Sequence, residues 1–312
     1  ELYLLSFNYM TEHLVDYLRC PITRERLQLE ILSKNKKVYD GTEKEIIQTG
    51  ILRSSVSLYP IIDGVPRLLV EAFLDYEDFL RSCAADYTKI RTQLEHNYAG
   101  LLAFVKKKNK RTKQSFSQEW GIFNYEEDKV WDADQSAMLE RFLQETDETK
   151  NSLQGKLIFD AGCGNGLLNQ SIAECGATII GMDFSKSIER AFVQNDKSNC
   201  IFIQGDVQFP PIAFHQFDIV HSSGVLICTN NSELTFSCLE PCCKLGGKMS
   251  VWLYQPRQDR IHNLFNFLRE YTSKLPNRIQ YSLYSITLLP ISYVIKRIKG
   301  NKQNKREMMI DI

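Results

Sequence analysis

The sequence lacks several features that would place it quickly in a functional class. It carries no net charge, since 38 Lys and Arg balance 38 Asp and Glu, so charge gives no reason to expect nucleic acid as the main partner. No run of about 18 uninterrupted apolar residues predicts a membrane span. The first residues do not join a basic stretch to a long apolar core, so we expect no secretory signal there.

Cysteine occurs nine times, but in no spacing typical of a disulfide framework or a zinc site. The number is odd, and most of these residues lie inside apolar stretches. Small buried thiols in a reducing compartment explain such a pattern. We therefore expect a cytoplasmic protein without disulfides.

The first half of the chain divides into two parts. Residues 1–70 are expected to form a small β-rich module: residues 26–31 alternate like a half-buried strand, and Asp63-Gly64 is a hairpin turn within residues 57–66. Residues 71–150 follow as a helical linker and pre-domain segment. Within it, the basic run at residues 106–113 is typical of a solvated linker, with a nucleic-acid contact as the alternative.

Residues 151–255 alternate short apolar runs with helical stretches, which predicts an α/β fold with a doubly wound, mostly parallel sheet. Five runs are the candidate strands: Leu157–Phe159, Thr178–Met182, Ile201–Ile203, Phe217–Val220 and Met249–Tyr254.

A glycine-rich turn follows the first of these strands, and Asp160 stands directly before it. Gly162, Gly164 and Gly166 let the backbone approach a ligand closely, as in dinucleotide-binding loops. The Gly-x-Gly-x-Gly spacing differs from the dinucleotide pattern, however, and a carboxylate at Asp160 would repel a pyrophosphate. A ligand with an ammonium group and no phosphate, such as S-adenosylmethionine, fits better.

Two further acids end the next two strands. Asp183 can accept hydrogen bonds from both ribose hydroxyls, and Phe184 directly follows it. Asp206 can accept from the exocyclic amine of adenine, while Val207 offers a backbone amide to the ring. Three acids in register behind a glycine loop indicate a nucleoside ligand.

Residues 156–254, about a third of the chain, resemble the class I S-adenosylmethionine-dependent methyltransferases, in particular the ubiquinone-biosynthesis and natural-product types. The resemblance implies a Rossmann-like core with S-adenosylmethionine as cofactor. It implies ten cofactor-site residues: Asp160, Gly162, Cys163 and Gly164 at the methionine part, Asp183 and Phe184 at the ribose, Asp206 and Val207 at the adenine, and Ser222 and Ser223 beside the sulfonium.

Residues 18–23 and 59–69 resemble a zinc-ribbon-like module found before bacterial methyltransferase domains, and the activator subunit of some tRNA and protein methyltransferases. Metal-binding relatives have two cysteines in the first motif and a second pair later. Here Cys20 is followed by Thr23 at the second cysteine position, and no later pair exists. Four ligands cannot be assembled, so we predict a degenerate, metal-free module.

The methyl acceptor leaves little trace in the sequence. His221 and His262 are candidate general bases, each with a structural role as the alternative. Residues 256–312 are expected to form a helical insertion that caps the acceptor site. Within them, residues 283–299 join an apolar stretch to a basic one, which leaves peripheral membrane contact open.

These observations predict a methyltransferase that acts on a small molecule, of which an apolar compound or a natural product is the expected kind. Two alternatives stay open: a tRNA or protein methyltransferase, suggested by the N-terminal module and the basic run, and a cofactor-binding scaffold without turnover. The sequence does not identify the acceptor, the atom that is methylated or the oligomeric state.

Overall fold

The computed structural model describes residues 12–109, residues 135–253 and nine positions between 267 and 286. The chain divides into two compact units, residues 1–128 with 133–253, and residues 129–132 with 254–312. In the second unit, eight of the nine described positions are helical, and the rings of Phe267 and Tyr271 pack with centroids 5.0 Å apart. His262 and most of residues 256–312 lie outside the described residues.

A four-stranded antiparallel sheet forms the N-terminal part of the first unit. After helix α1 (Glu12–Val15), its strands are β1 (Gln28–Tyr39), β2 (Thr42–Arg53), β3 (Leu58–Ile62) and β4 (Val65–Pro66), in the order β1-β2-β3-β4. The β-rich character expected from the sequence is confirmed, but β1 and β2 are 12 residues each and far longer than the alternation at residues 26–31 suggested.

The extra length comes from a solvated hairpin. Most of β1 is exposed, so its side chains do not alternate between apolar and polar. Cross-strand ion pairs join Lys34 to Glu45 and Lys36 to Glu43 instead. A sequence search for hydrophobic periodicity therefore misses most of this hairpin.

Helices follow the sheet and pack on it: α2 (Ala72–Asp75), α3 (Glu77–Cys83), α4 (Tyr87–Asn97) and α5 (residues 99–109). A buried apolar cluster that includes Phe73, Leu80 and Leu94 joins them to Ile51 of β2. This packing fixes the direction of α5, whose last residues reach the neighbouring parallel sheet.

That second sheet has five strands, all parallel, in the order β7-β6-β5-β8-β9. The elements are α6 (Gln135–Thr146), β5 (Leu157–Ala161), α7 (Leu167–Glu174), β6 (Thr178–Asp183), α8 (Ser187–Gln194), β7 (Cys200–Gln204), β8 (Phe217–Ser223), α9 (Ser232–Leu239) and β9 (Cys243–Trp252). The predicted doubly wound parallel sheet is confirmed.

The strand order reverses between β5 and β8. Strands β6 and β7 lie on one side of β5, and β8 and β9 lie on its other side. The loops that follow β5 and β8 therefore lead to opposite sides of the sheet. In open parallel sheets, ligands bind at the carboxyl ends of the strands near this switch point. The Gly162–Gly166 turn lies directly after β5, at this position.

The two sheets share one apolar core. Residues of the N-terminal module, among them Leu18, Tyr59 and Leu68, belong to the same buried cluster as the parallel sheet. The Leu68 N–H donates to the Gln204 carbonyl at 2.8 Å, which continues the parallel sheet beyond β7. Across the described parts of the chain, no helix is long and apolar enough to cross a membrane.

Candidate cofactor site

The turn after β5 requires glycine for two physical reasons. Gly162 has φ +98°, and a Cβ placed there would lie 2.2 Å from Val225 Cγ2. Gly166, the residue before α7, has φ +74°, and its Cβ would lie 2.5 Å from the ring of Phe202. Any larger residue is strained by both backbone and packing at these two positions.

The amides of this turn are bonded within the protein. Gly162 and Cys163 both donate to the Met182 carbonyl, at 2.7 and 3.0 Å. Gly164 donates to Asp183 Oδ2 at 2.9 Å. The glycine-rich turn predicted backbone amides that face a ligand. In the structure, the amides of Gly162, Cys163 and Gly164 instead stabilise the turn by hydrogen bonds within the protein.

Asp183 therefore has a second role besides the one predicted for it. Its Oδ1 accepts from the backbone and the hydroxyl of Ser185, at 2.8 and 2.7 Å, while Oδ2 accepts from Gly164. Desolvation raises the pKa of this half-buried carboxyl, and the hydrogen bonds from Ser185 and Gly164 oppose the rise. The proposed ribose acid and the glycine turn are thus one hydrogen-bonded unit.

Asp160 lies deep at the end of β5 and is 4% exposed. Desolvation, with a contribution from the charge of nearby Asp183, raises its pKa to about 7, although the amide of Asn169 opposes the rise. Asn169 is fully buried in α7, and neither atom of its amide makes a hydrogen bond of standard geometry. A buried amide beside a buried carboxyl fits a site built for a polar ligand.

Asp206 follows β7 and is 5% exposed. Its Oδ1 accepts from the Gln208 backbone at 2.9 Å, and its Oδ2 pairs with Lys108 Nζ at 2.6 Å. Lys108 lies in the basic run that the sequence analysis interpreted as a solvated linker or a nucleic-acid contact. The structure contradicts both readings for this lysine, because its ammonium is engaged inside the protein.

The remaining predicted cofactor residues lie at the same end of the sheet. Phe184 and Val207 are half-buried and pack against the core. Ser222 is fully buried and donates its hydroxyl to the Ala161 carbonyl at 2.7 Å, whereas Ser223 ends β8 and is half-buried. The Ser222 hydroxyl therefore stabilises the contact between β8 and β5.

His221 is placed where a general base would be ineffective. It is 2% exposed and packs edge-on against Phe142 of α6, with ring centroids 5.0 Å apart. Burial lowers its pKa to about 4, so the imidazole is neutral and weakly basic near pH 7. The geometry favours the structural alternative given for this residue; a catalytic role for His262 stays a prediction.

The nine cysteines are free thiols in the structure. Cys20 lies in the N-terminal module, where its Sγ contacts the Tyr59 hydroxyl at 3.2 Å and accepts from the Thr23 backbone at 3.4 Å. Within the described ranges, no group of three or more His, Cys, Asp or Glu is placed to hold a metal ion. The metal-free character of the module stays a prediction.

Three residues of the site escaped the sequence analysis. Lys108 was hidden in a run of lysines that looked uniform, and its partner Asp206 lies 98 residues away. Tyr76 donates to Gln204 from an equally remote position. Asn169 left a usable signal, because it is a polar residue on the buried face of a short helix.

Comparison with known proteins finds relatives of the parallel-sheet region. Residues 159–251 match the family profile described as a methyltransferase domain. A ubiquinone biosynthesis O-methyltransferase of Coxiella burnetii is 27% identical over 105 residues, which are 33% of this chain and 45% of that protein. An uncharacterized methyltransferase of Synechocystis is 33% identical over 128 residues, covering 38% and 59% of the two chains.

Among solved structures, a putative methyltransferase of Bacillus halodurans matches at 17% identity with a TM-score of 0.36, covering 42% of this chain and 57% of that one. The chain spans about half the length of the curated relatives it matches. Over residues 159–251 the chain is thus similar to a methyltransferase domain.

Proposed function

We propose that the protein transfers a methyl group from S-adenosylmethionine to a small molecule. One observation carries the proposal: Asp160, Asp183 and Asp206 lie at the ends of three adjacent parallel strands, beside a turn that only glycine can form. The family match over residues 159–251 supports the same interpretation.

The residues present fit this donor. Its ammonium and sulfonium are cationic, and Asp160 and Asp183 supply carboxyl groups that suit a cation. Asp183 would bind the ribose hydroxyls, and Asp206 with Val207 would bind the adenine. The buried amide of Asn169 adds polar capacity beside Asp160. When bound, S-adenosylmethionine supplies a methyl group already activated by the sulfonium.

The protein's task in such a reaction is alignment. The acceptor atom has to approach the methyl carbon in line with the bond that breaks, and correct positioning supplies most of the rate. Ser223, at the half-buried end of β8, is the residue of the predicted set best placed to face an acceptor. His221 is given no part in proton removal, because its buried ring packs against Phe142.

A small-molecule acceptor is favoured over a nucleic acid. Lys108, in the basic run that suggested RNA, is paired with Asp206, and several curated relatives are named ubiquinone biosynthesis O-methyltransferases. The free thiols are compatible with the reducing compartment, and hence the cytoplasm, that we infer from cysteine usage.

The test begins with calorimetric titration of the protein with S-adenosylhomocysteine. We expect Asp183→Ala to weaken binding by about 1–3 kcal/mol, because charged hydrogen bonds to the ribose are lost and the glycine turn is loosened. Asp196→Ala, an exposed aspartate after α8, is the matched control and should leave the affinity unchanged. Equal affinities for both variants would show that the ribose assignment is wrong.

Turnover separates the remaining alternatives. Methyl transfer to quinol- or phenol-like acceptors supports the proposal. Tight binding of S-adenosylmethionine without product from any acceptor supports the scaffold, and salt-sensitive binding of tRNA at low ionic strength supports the tRNA methyltransferase.

A further inference from the structure

The side chain of Lys108 ends among buried polar groups at the carboxyl end of β7. Its Nζ lies 2.6 Å from Asp206 Oδ2 and 2.9 Å from Gln208 Oε1, and 5.3 Å from the ring centre of Phe209. The side chain of Lys108 is 14% exposed and that of Asp206 is 6% exposed. The pair is therefore a buried charge-assisted hydrogen bond rather than a surface ion pair.

This arrangement fixes the orientation of the Asp206 carboxylate. One oxygen accepts from the Gln208 backbone and the other from Lys108, so rotation of the group would break a hydrogen bond on either side. Each carboxylate oxygen has two lone pairs, and each keeps capacity for one more donor. The Lys108 ammonium on one side and the Gln208 amide on the other hold the carboxylate as an oriented acceptor.

The helix that carries Lys108 is itself anchored. Asn109, the next residue, donates to Glu71 Oε1 at 2.9 Å, and both side chains are at most 3% exposed. A helix pinned in this way delivers its lysine to a fixed point. The contact with Asp206 is therefore a property of the packed fold.

Tyr76, between α2 and α3, makes a second contact with the end of β7. The Tyr76 hydroxyl donates to Gln204 Oε1 at 3.1 Å, and Gln204 Nε2 donates to the Phe184 carbonyl at 3.1 Å. Residues 71–109 thus contact the end of β7 through Tyr76 and the turn after it through Lys108, and Gln204 links the first contact to the loop after β6.

We propose that Lys108 is a positioning residue that makes the donor pocket selective for adenine, by holding Asp206 as an oriented acceptor for the exocyclic amine. The proposal rests on the proposed function, since it assigns a specificity to the same cofactor site. Lys108 acts through Asp206 and is not assigned a contact with the ligand.

The chemistry of the purine ring defines the readout. Adenine carries an amine donor at its 6-position, whereas hypoxanthine carries a carbonyl acceptor there. An ionised Asp206 favours the donor and repels the acceptor. Without Lys108 the Asp206 carboxylate loses the partner that fixes its orientation, and it is left as a buried charge without compensation. The preference for adenine should then be lost.

The experiment compares the affinities of S-adenosylhomocysteine and S-inosylhomocysteine for wild type, Lys108→Met and Lys107→Met. Lys107 is the exposed neighbour on the same helix and serves as the matched control. We expect Lys108→Met to lower the adenine-to-hypoxanthine affinity ratio about tenfold or more, and Lys107→Met to leave it unchanged. Partial unfolding lowers both affinities equally, so it does not change the ratio.

Lys108→Gln, which removes the charge but keeps a polar side chain, replaces the methionine variant if that variant does not fold. An unchanged ratio in a folded Lys108 variant would overturn the positioning role and leave the proposed function standing. Failure of the wild type to bind S-adenosylhomocysteine at all would overturn both.

Discussion

Asp160 lies in an environment that differs strongly from that of a free side chain. Its carboxyl lies at the end of β5 among buried groups, and its pKa of about 7 contrasts with an ordinary value of 3.8. A raised carboxyl pKa means that the folded protein holds a proton that the unfolded chain releases. The contribution of Asp160 to the free energy of unfolding of the unliganded protein is therefore expected to fall as the pH rises from about 4 to 7.

Binding of the donor should shift Asp160 from its protonated form toward its ionised form. A cationic ammonium or sulfonium favours ionised Asp160, so binding releases a proton wherever Asp160 is protonated beforehand. We expect the affinity for S-adenosylhomocysteine to rise by up to about tenfold per pH unit below pH 7, and to level off above it. Calorimetry at pH 6, 7 and 8, in buffers of different ionisation enthalpy, measures both affinity and proton release.

Asp160→Asn is the control for this prediction, since the amide has a similar shape and does not titrate. Its affinity should be nearly independent of pH over the same range. A pH dependence as steep as that of the wild type would assign the titration to another group, of which Asp183 is the first candidate because its pKa is also raised.

At the scale of single residues, the sequence predicted where the acids and glycines lie along the strands, but it did not predict which side chains contact them. Asp160, Asp183 and Asp206 could be predicted because the end of a strand and a glycine turn are local signals. Lys108 could not, because its contact with Asp206 depends on the packing of α5 against a sheet formed much later in the chain. His221 was ambiguous until its burial against Phe142 was known.

At the scale of elements, Glu148 joins the loop after α6 to two strands. It pairs with Lys156 at 2.6 Å, just before β5, and with Lys248 of β9 at 2.7 Å, although only 4% of its side chain is exposed. Burial alone would raise its pKa. Hydrogen bonds from Lys156, Lys248 and Ser152 outweigh burial and lower the pKa to about 2.

A depressed carboxyl pKa contributes stability above the ordinary value of 4.5, and this contribution is lost as the pH falls toward 2. We expect Glu148→Gln to lower the free energy of unfolding by about 1–3 kcal/mol at pH 7, and by much less near pH 2.5. Urea denaturation at the two pH values measures the difference. Glu140→Gln, an exposed glutamate of α6, should have little effect at either pH; a similar loss for both variants would contradict the role of Glu148.

The sequence predicted the strands whose side chains are buried on one face or on both. It did not predict the strands whose side chains are exposed. The five parallel strands are buried and apolar, and each was found near its true position, although β9 begins at Cys243 rather than Met249. The β1–β2 hairpin is solvated, and its pairing depends on cross-strand charges that a periodicity search does not detect.

At the scale of the first unit, we expect the N-terminal sheet and the parallel sheet to fold as one cooperative unit. Leu18 bridges to Ile212, and Lys37 donates to the carbonyls of Phe192 and Val193 at the end of α8, each at 2.9 Å. A lysine at a helix carboxyl end also interacts favourably with the helix dipole. Apolar and polar contacts both cross the seam between the sheets.

We therefore expect damage on one side of the seam to destabilise the other side equally. Leu18→Ala, at a fully buried position, should cost about 2–5 kcal/mol and reduce hydrogen-exchange protection in β2 and β6 together. Val38→Ala, on the exposed part of β1, is the control and should change neither. Loss of protection confined to β2 would show that the two sheets unfold independently.

The seam also sets an order of events during synthesis. The Arg24 guanidinium hydrogen-bonds the Ile212 carbonyl, 188 residues further along the chain. At typical ribosomal speeds, roughly 10 to 40 s pass between the emergence of the two residues. Throughout this interval the nascent N-terminal sheet presents apolar side chains whose partners have not yet been made. Growing chains of this protein should therefore be clients of ribosome-associated chaperones until the parallel sheet is complete.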